Sequence, residues 1–170
     1  MGEKRITPEN IVNLQNHEVF VMGTNESGFH GAGSAGFAFR NDDSINWRKD
    51  QQFLSAMNSL PGSLERIDKW SIFGQSSGLM QGNEGKSYGI ITINKPGQKR
   101  SRPLHLIQHD IYNFLRFAKV NSHLIFYVPE IGTNYAGYEV QEIAPFFEYA
   151  LVLNNVYLPK RFYNYLKSKR

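Results

Sequence analysis

The stretch VFVMGTNESGFHGAGSAGFAFR, residues 19–40, decides how the chain is read. Its first part is apolar and β-branched and stops at Gly23, as a buried strand does. Its last part, Gly33 to Arg40, is small and aromatic and favours a helix. Between them lies GTNESGFHGAG (23–33), where Gly28, Gly31 and Gly33 let a ligand approach the backbone with no Cβ in the way. A glycine-bearing turn from strand to helix can aim several N–H groups at one anion, with the helix dipole behind them. Such turns also serve tight packing alone.

Outward from this stretch the chain alternates strand and helix. Thr7 before Pro8 and Glu9 reads as a helix start, with a short helix over 8–15. EVFVMG (18–23) is the first strand. The polar region 41–70 reads as an insertion with a helix near 49–59. The glycine-rich run 74–89 reads as a loop feeding the strand YGIITIN (88–94). After Pro103, Ile107, Ile111, Phe114, Leu115 and Ala118 recur at steps of three and four, which lays one apolar stripe along an amphipathic helix. HLIFYVPEIG (123–132) is continuously apolar, as a strand buried on both faces must be. EVQEIAPFFEYAL (139–151) reads as a helix with a possible kink at Pro145, followed by a strand NVYL (155–158) and a basic terminal helix. This order predicts right-handed crossovers and a three-layer α/β/α architecture, class α/β, with a mostly parallel central sheet.

The length of 170 residues and the 41% hydrophobic content suit one domain, 1–170, with a single core. With no cysteine there are neither disulfides nor thiolate metal ligands. The start MGEKRITPEN lacks the apolar stretch of a signal peptide, and no run approaches the roughly 18 apolar residues that span a bilayer. Cytoplasm, with no membrane association, is the expectation. The net charge of +4 is local, concentrated in KPGQKRSR (95–102) and KRFYNYLKSKR (160–170). Such clusters attract phosphates or nucleic acid at long range, or simply face solvent.

A second glycine-bearing loop follows the strand at 123–132. In EIGTNYAGY (130–138), Gly132, Thr133, Asn134, Ala136 and Gly137 could form another ring of amides. Ligands of open α/β sheets gather where the carboxyl ends of strands meet helix N-termini. Two such loops on neighbouring strands suggest two phosphates, and a diphosphate bridging two sugars suits that spacing. Neither loop matches G-x-G-x-x-G in context, and no G-x-x-x-x-G-K-[ST] is present, which disfavours nucleotide hydrolysis through a phosphate loop.

These residues also carry a resemblance. VFVMGTNESGFHGAGSAGFAF is similar to the opening motif of a phage-associated, macro-domain-like family, a hydrophobic strand followed by G-S-N-x-x-G-R-H-G-x-G-A-A. GLMQGNEGKSYGIIT (78–92) and IGTNYAGYEVQEIAPFF (131–147) resemble its later blocks, and NVYLP (155–159) closes the domain. The resemblance implies a macro-domain-like fold that binds ADP-ribose or a related nucleotide diphosphate. It would set Asn25 against the distal ribose, Gly31 and Gly33 in the first phosphate loop, and Gly132, Thr133, Asn134, Ala136 and Gly137 in the second, with Tyr138 the closing aromatic. Gly23, Thr24, Gly28 and Ala32 complete the candidate contacts. Phe29 stands where the family has a basic residue and Asn134 where it has a glycine. The acidic residue that reads adenine has no secure counterpart, since Glu9 and Glu18 are the acids near the first strand.

Macro-domain hydrolases hold a water between the diphosphate and the distal ribose, so positioning matters more than a basic triad. Asn25 and His30 are the catalytic candidates. His30 could orient water or donate to developing charge near neutral pH; alternatively it packs on the loop and bonds a carbonyl. Glu130, at a strand end, is either a general base or a cap. No serine sits in a nucleophile elbow. His105 and His109 have the separation of zinc ligands, but Gln108 replaces a catalytic glutamate and no third ligand is evident, so no metal and no cofactor are expected. Phe146, Phe147 and Tyr149, with the aromatics of the tail, read as core and helix-packing residues rather than a base-stacking platform. The expected partner is an ADP-ribose-like small molecule or an ADP-ribosylated target, with or without hydrolysis by an ADP-ribosyl hydrolase activity. The alternative is a non-enzymatic phage-type module that holds nucleic acid or a host protein through its basic C-terminal tail.

Overall fold

The computed structural model describes residues 4–28, 33–40, 69–72, 74–95 and 97–170. The strand ending at Gly23 in the sequence reading is β1, Glu18–Asn25, and it takes the centre of a five-stranded sheet of order β2-β3-β1-β4-β5. The other strands are β2 (Gly78–Gln81), β3 (Lys86–Ile93), β4 (Ile125–Tyr127) and β5 (Val156–Tyr157). β1 pairs in parallel with both β3 and β4, and β4 in parallel with β5; β2 is the antiparallel edge.

Both faces of this sheet are covered, which is why β1 reads as an uninterrupted apolar run. Val19 and Val21 point to one side, into a cluster with Ile107, Ile111, Phe114, Leu115 and Ala118 of α2 (Leu104–Val120). Phe20 and Met22 point to the other, against Ala35 and Ala38 of α1 (Gly33–Arg40), Ile11, Trp70 and Met80. The stripe at steps of three and four is thus the buried face of α2. The chain has the α/β fold with a mostly parallel sheet and helices on both faces.

Four expectations need correction. No helix forms over 8–15. Ile6 instead bridges Leu158 in parallel, and the Thr7 N–H and hydroxyl donate to the carbonyls of Leu158 and Val128 at 2.8 and 2.7 Å. This pins Ile6 and Thr7 beside β5, and Asn10, Val12 and Asn13 are poor helix formers. The run 74–89 is more than a loop, since Gly78–Gln81 pairs with Lys86–Gly89 as a hairpin. Its glycines serve close approach: a Cβ on Gly82 would sit 2.5 Å from the Lys69 carbonyl oxygen, and one on Gly89 would sit 2.6 Å from that of Ser76.

The strand expected over 123–132 is regular for Ile125–Tyr127 alone, because Pro129 has no N–H to pair with. The helix expected over 139–151 is one α-turn, α3 (Val140–Ile143), continued as a 3-10 helix over Ala144–Val152. Pro145 cannot donate the bond that would carry the α-helix on. The last helix, α4 (Lys160–Ser168), is basic as expected, yet it buries Phe162 and Leu166 in the main core. The helix expected near 49–59 lies outside the described residues.

Candidate functional site

A cleft of about 830 Å³ opens at the carboxyl ends of the parallel strands. Gly23, Thr24 and Asn25 line it from the end of β1, Thr92 and Ile93 from the end of β3, and Pro129 to Gly132, Asn134, Tyr135 and Ala136 from the turn after β4. Pro159, Lys160 and Arg161 close one wall where β5 passes into α4, and Ser34, Ala35 and Phe37 of α1 form another. The cleft lies where a parallel sheet gathers ligands, because the strand ends leave backbone groups unpaired there.

The end of β1, where the first glycine-bearing stretch begins, and the second glycine-bearing turn meet in this cleft. Gly23 packs under Thr92 and Ile131, the residue that opens the second turn. Its N–H donates to Ser34 Oγ at 2.9 Å, which fixes the first turn of α1 against β1. Asn25 accepts the Ser27 hydroxyl on its side-chain oxygen at 2.7 Å, and its carbonyl accepts the Gly28 N–H at 3.1 Å. Gly132 turns with φ +79°, and the Tyr138 N–H closes the second turn on the Gly132 carbonyl at 3.0 Å. The Asn134 carbonyl accepts the Gly137 N–H at 3.2 Å.

Of the residues expected at the site, Gly23, Thr24, Asn25, Gly132, Asn134 and Ala136 line the cleft. Thr133 and Tyr138 line instead a smaller, polar cavity of about 410 Å³, which shares Glu130, Asn134 and Arg161 with the cleft. Gly28 takes positive φ for packing: a Cβ there would lie 2.4 Å from the Gly74 carbonyl carbon. Gly137 abuts the Lys99 side chain for the same kind of reason. Gly33 begins α1. His30, Gly31 and Ala32 lie outside the described residues.

Among the described residues, two carboxylates line the cleft. Glu130 is held by Arg161, whose Nη1 donates to it at 3.0 Å. Glu9 lies where the chain bends, in the segment for which the sequence predicts a helix. Glu18 is occupied elsewhere, accepting the Tyr127 hydroxyl at 2.5 Å, and burial with that contact pushes the Tyr127 phenol up. Around Glu9 the wall is apolar, from Ile6, Pro8, Ile11, Phe20 and Phe37. Its two halves come from the segment 6–11 and from Phe20 and Phe37, which are distant in sequence and packed together only by the fold.

The basic run 95–102 braces the second turn. Arg100 has φ 55°, a strained value for a side-chain-bearing residue, and three contacts hold it there. Its N–H donates to the Ala136 carbonyl at 2.7 Å, its guanidinium lies 4.7 Å from the Tyr138 ring centroid, and it grips both carboxylate oxygens of Glu142 at 2.8 and 3.1 Å. That grip holds Glu142 below the usual carboxylate range and raises Arg100. Among the described residues no group of three or more His, Asp and Glu could hold a metal ion, and no helix is long and apolar enough to cross a membrane.

The fold is similar to a known one. A solved structure of an aspartate-to-alanine mutant of the Oceanobacillus iheyensis macrodomain superposes with a TM-score of 0.51, covering 96% of this chain and 88% of that one at 18% identity. At that identity the likeness concerns the fold, which is macrodomain-like. No family model matches the sequence, and no curated protein matches it.

Proposed function

We propose that the cleft binds ADP-ribose or a closely related nucleotide diphosphate. One observation carries this reading: the end of β1, where the first glycine-bearing stretch begins, and the glycine-bearing turn after β4, more than 100 residues apart in sequence, line one cleft at the carboxyl ends of parallel strands, in a macrodomain-like fold. The volume suits a ligand of this size, since cofactor clefts run roughly 300–1,000 Å³. The diphosphate would lie against the amides of the turn at 132–136 and of the turn after Asn25. The base would take the apolar end between Phe20, Phe37 and Pro8, where Glu9 can accept from an exocyclic amine. Lys160 and Arg161 supply positive charge on the adjoining wall.

The finer readings are proposals of the same kind. The partner is free ADP-ribose or an ADP-ribosylated target, the compartment is the cytoplasm, and the phage association follows the sequence resemblance. Hydrolysis at the distal ribose would act through Asn25 and His30, by holding water against the sugar. Titration calorimetry and thermal shift with ADP-ribose test the binding reading. A specific binder gains about 2.7 kcal/mol of stability at a ligand concentration one hundred times Kd. No shift at millimolar ADP-ribose overturns it.

A further inference from the structure

We propose that Arg102 is a positioning residue for the cleft, tying the ends of β1 and β3 and the second glycine turn to one another; its effect on affinity rests on the reading of the cleft as a nucleotide-diphosphate site. Arg102 is only 8% exposed. Its Nη1 donates to Asn94 Oδ1 at 2.9 Å and lies 3.5 Å from Glu26 Oε1, and its Nη2 donates to Asp110 Oδ2 at 2.7 Å. Its backbone carbonyl accepts the Tyr138 hydroxyl at 2.6 Å. Each of these partners adjoins a wall of the cleft or anchors the link. Glu26 follows Asn25, Asn94 follows Ile93, and Tyr138 ends the turn that holds Asn134 and Ala136. Asp110 sits on α2, the longest helix among the described residues.

Stability alone is a poor reason for this arrangement. A buried ion pair recovers little against apolar packing of the same volume, and here Nε is left buried with no hydrogen-bond partner. A planar guanidinium does what an apolar residue or a lysine cannot: it holds several acceptors at fixed spacing. The guanidinium fixes the ends of β1 and β3 against α2, and the backbone carbonyl of the same residue carries the second turn through Tyr138. Amides that converge on a diphosphate bind well only if their separation is set before the ligand arrives, because ordering them afterwards subtracts from affinity.

The test uses Arg102→Lys, Arg102→Met and Tyr138→Phe in the full chain, each shown folded by circular dichroism at the assay temperature. Amide hydrogen exchange without ligand is read at 24–27 and 132–138, and ADP-ribose affinity by calorimetry. Both Arg102 variants are expected to raise exchange in both segments and to weaken ADP-ribose tenfold or more, with Lys failing to rescue. Tyr138→Phe, which removes one hydroxyl, is expected to raise exchange at 132–138. The Arg102→Met/Tyr138→Phe double variant should weaken binding less than the two singles multiplied together, as groups in one link do. Wild-type exchange in both segments of a folded Arg102 variant overturns the proposal, and so does wild-type exchange at 132–138 in Tyr138→Phe, should the Arg102 variants fail to fold. If the wild-type chain does not bind ADP-ribose, the ligand reading falls, and the exchange data still decide whether Arg102 ties the two turns.

Discussion

Gly23 and Ile131 pack so closely that a methyl group on Gly23 would lie 3.3 Å from Ile131 Cβ, and also 3.0 Å from Thr92 Oγ1. The last part of β1 and the start of the second turn therefore touch, with room for a hydrogen and nothing larger. Gly23→Val forces these walls apart. A loss of about 1–3 kcal/mol is expected from overpacking, read from urea denaturation, with weaker ligand binding in the folded fraction. Wild-type stability in Gly23→Val would show that the contact is loose.

Gly132 is constrained twice. Its φ of +79° disfavours any side chain, and a Cβ there would meet Ile143 Cδ1 at 3.0 Å. Gly132→Ala is expected to lose about 1–2 kcal/mol from the left-handed backbone alone. Gly74→Ala is the control, since φ is +92° there and nothing lies within 4 Å of the added carbon. Equal losses at the two sites would assign the whole effect to backbone strain.

The basic tail is a core element as well as a charged surface. Phe162 is fully buried, with its ring centroid 5.7 Å from that of Phe147. Phe162→Ala should lose about 3–5 kcal/mol in chemical denaturation. Deleting 160–170 is accordingly expected to unfold the chain rather than detach a binding arm. A folded, cooperative truncation would contradict this.

Acid stability depends in part on Glu142. The Arg100 bonds hold its carboxyl below the ordinary 4.5. A group lowered on folding contributes stability above its unfolded pKa and loses it as pH falls through the folded one. Melts between pH 7 and pH 3 should therefore show part of the acid-side drop missing in Glu142→Gln. The effect is expected to be small, since Arg100 is half exposed. An identical acid limb in the variant would remove the pair from the account of the brace.

Legibility in the sequence followed the range of the forces. The stripe from Ile107 to Ala118 and the apolar run of β1 are local patterns written by burial, and they gave α2, β1 and the parallel sheet. The segment after Thr7 was misread because its capping signal is local, while the bonds from Thr7 to Leu158 and Val128 span more than 100 residues. The glycines near 74–89 were read as loop when several serve the close approach of Lys69, Trp70 and Ser76. At the site, the turn residues lining the cleft were legible as glycine-bearing loops. Thr92 and the pair Lys160 and Arg161 are not, because only the sheet register brings them there; Tyr135 and Ser34 lie within the two stretches but carry no glycine signal. Arg102 sat in a run whose sequence suggested nothing beyond charge.

The most direct measurement is a crystal structure of the chain soaked or grown with ADP-ribose. The expected result is the diphosphate within hydrogen-bonding distance of backbone amides in the turn at 132–136, and the distal ribose beside Asn25. Ligand density outside the cleft, or an empty cleft at millimolar ADP-ribose, would contradict the account.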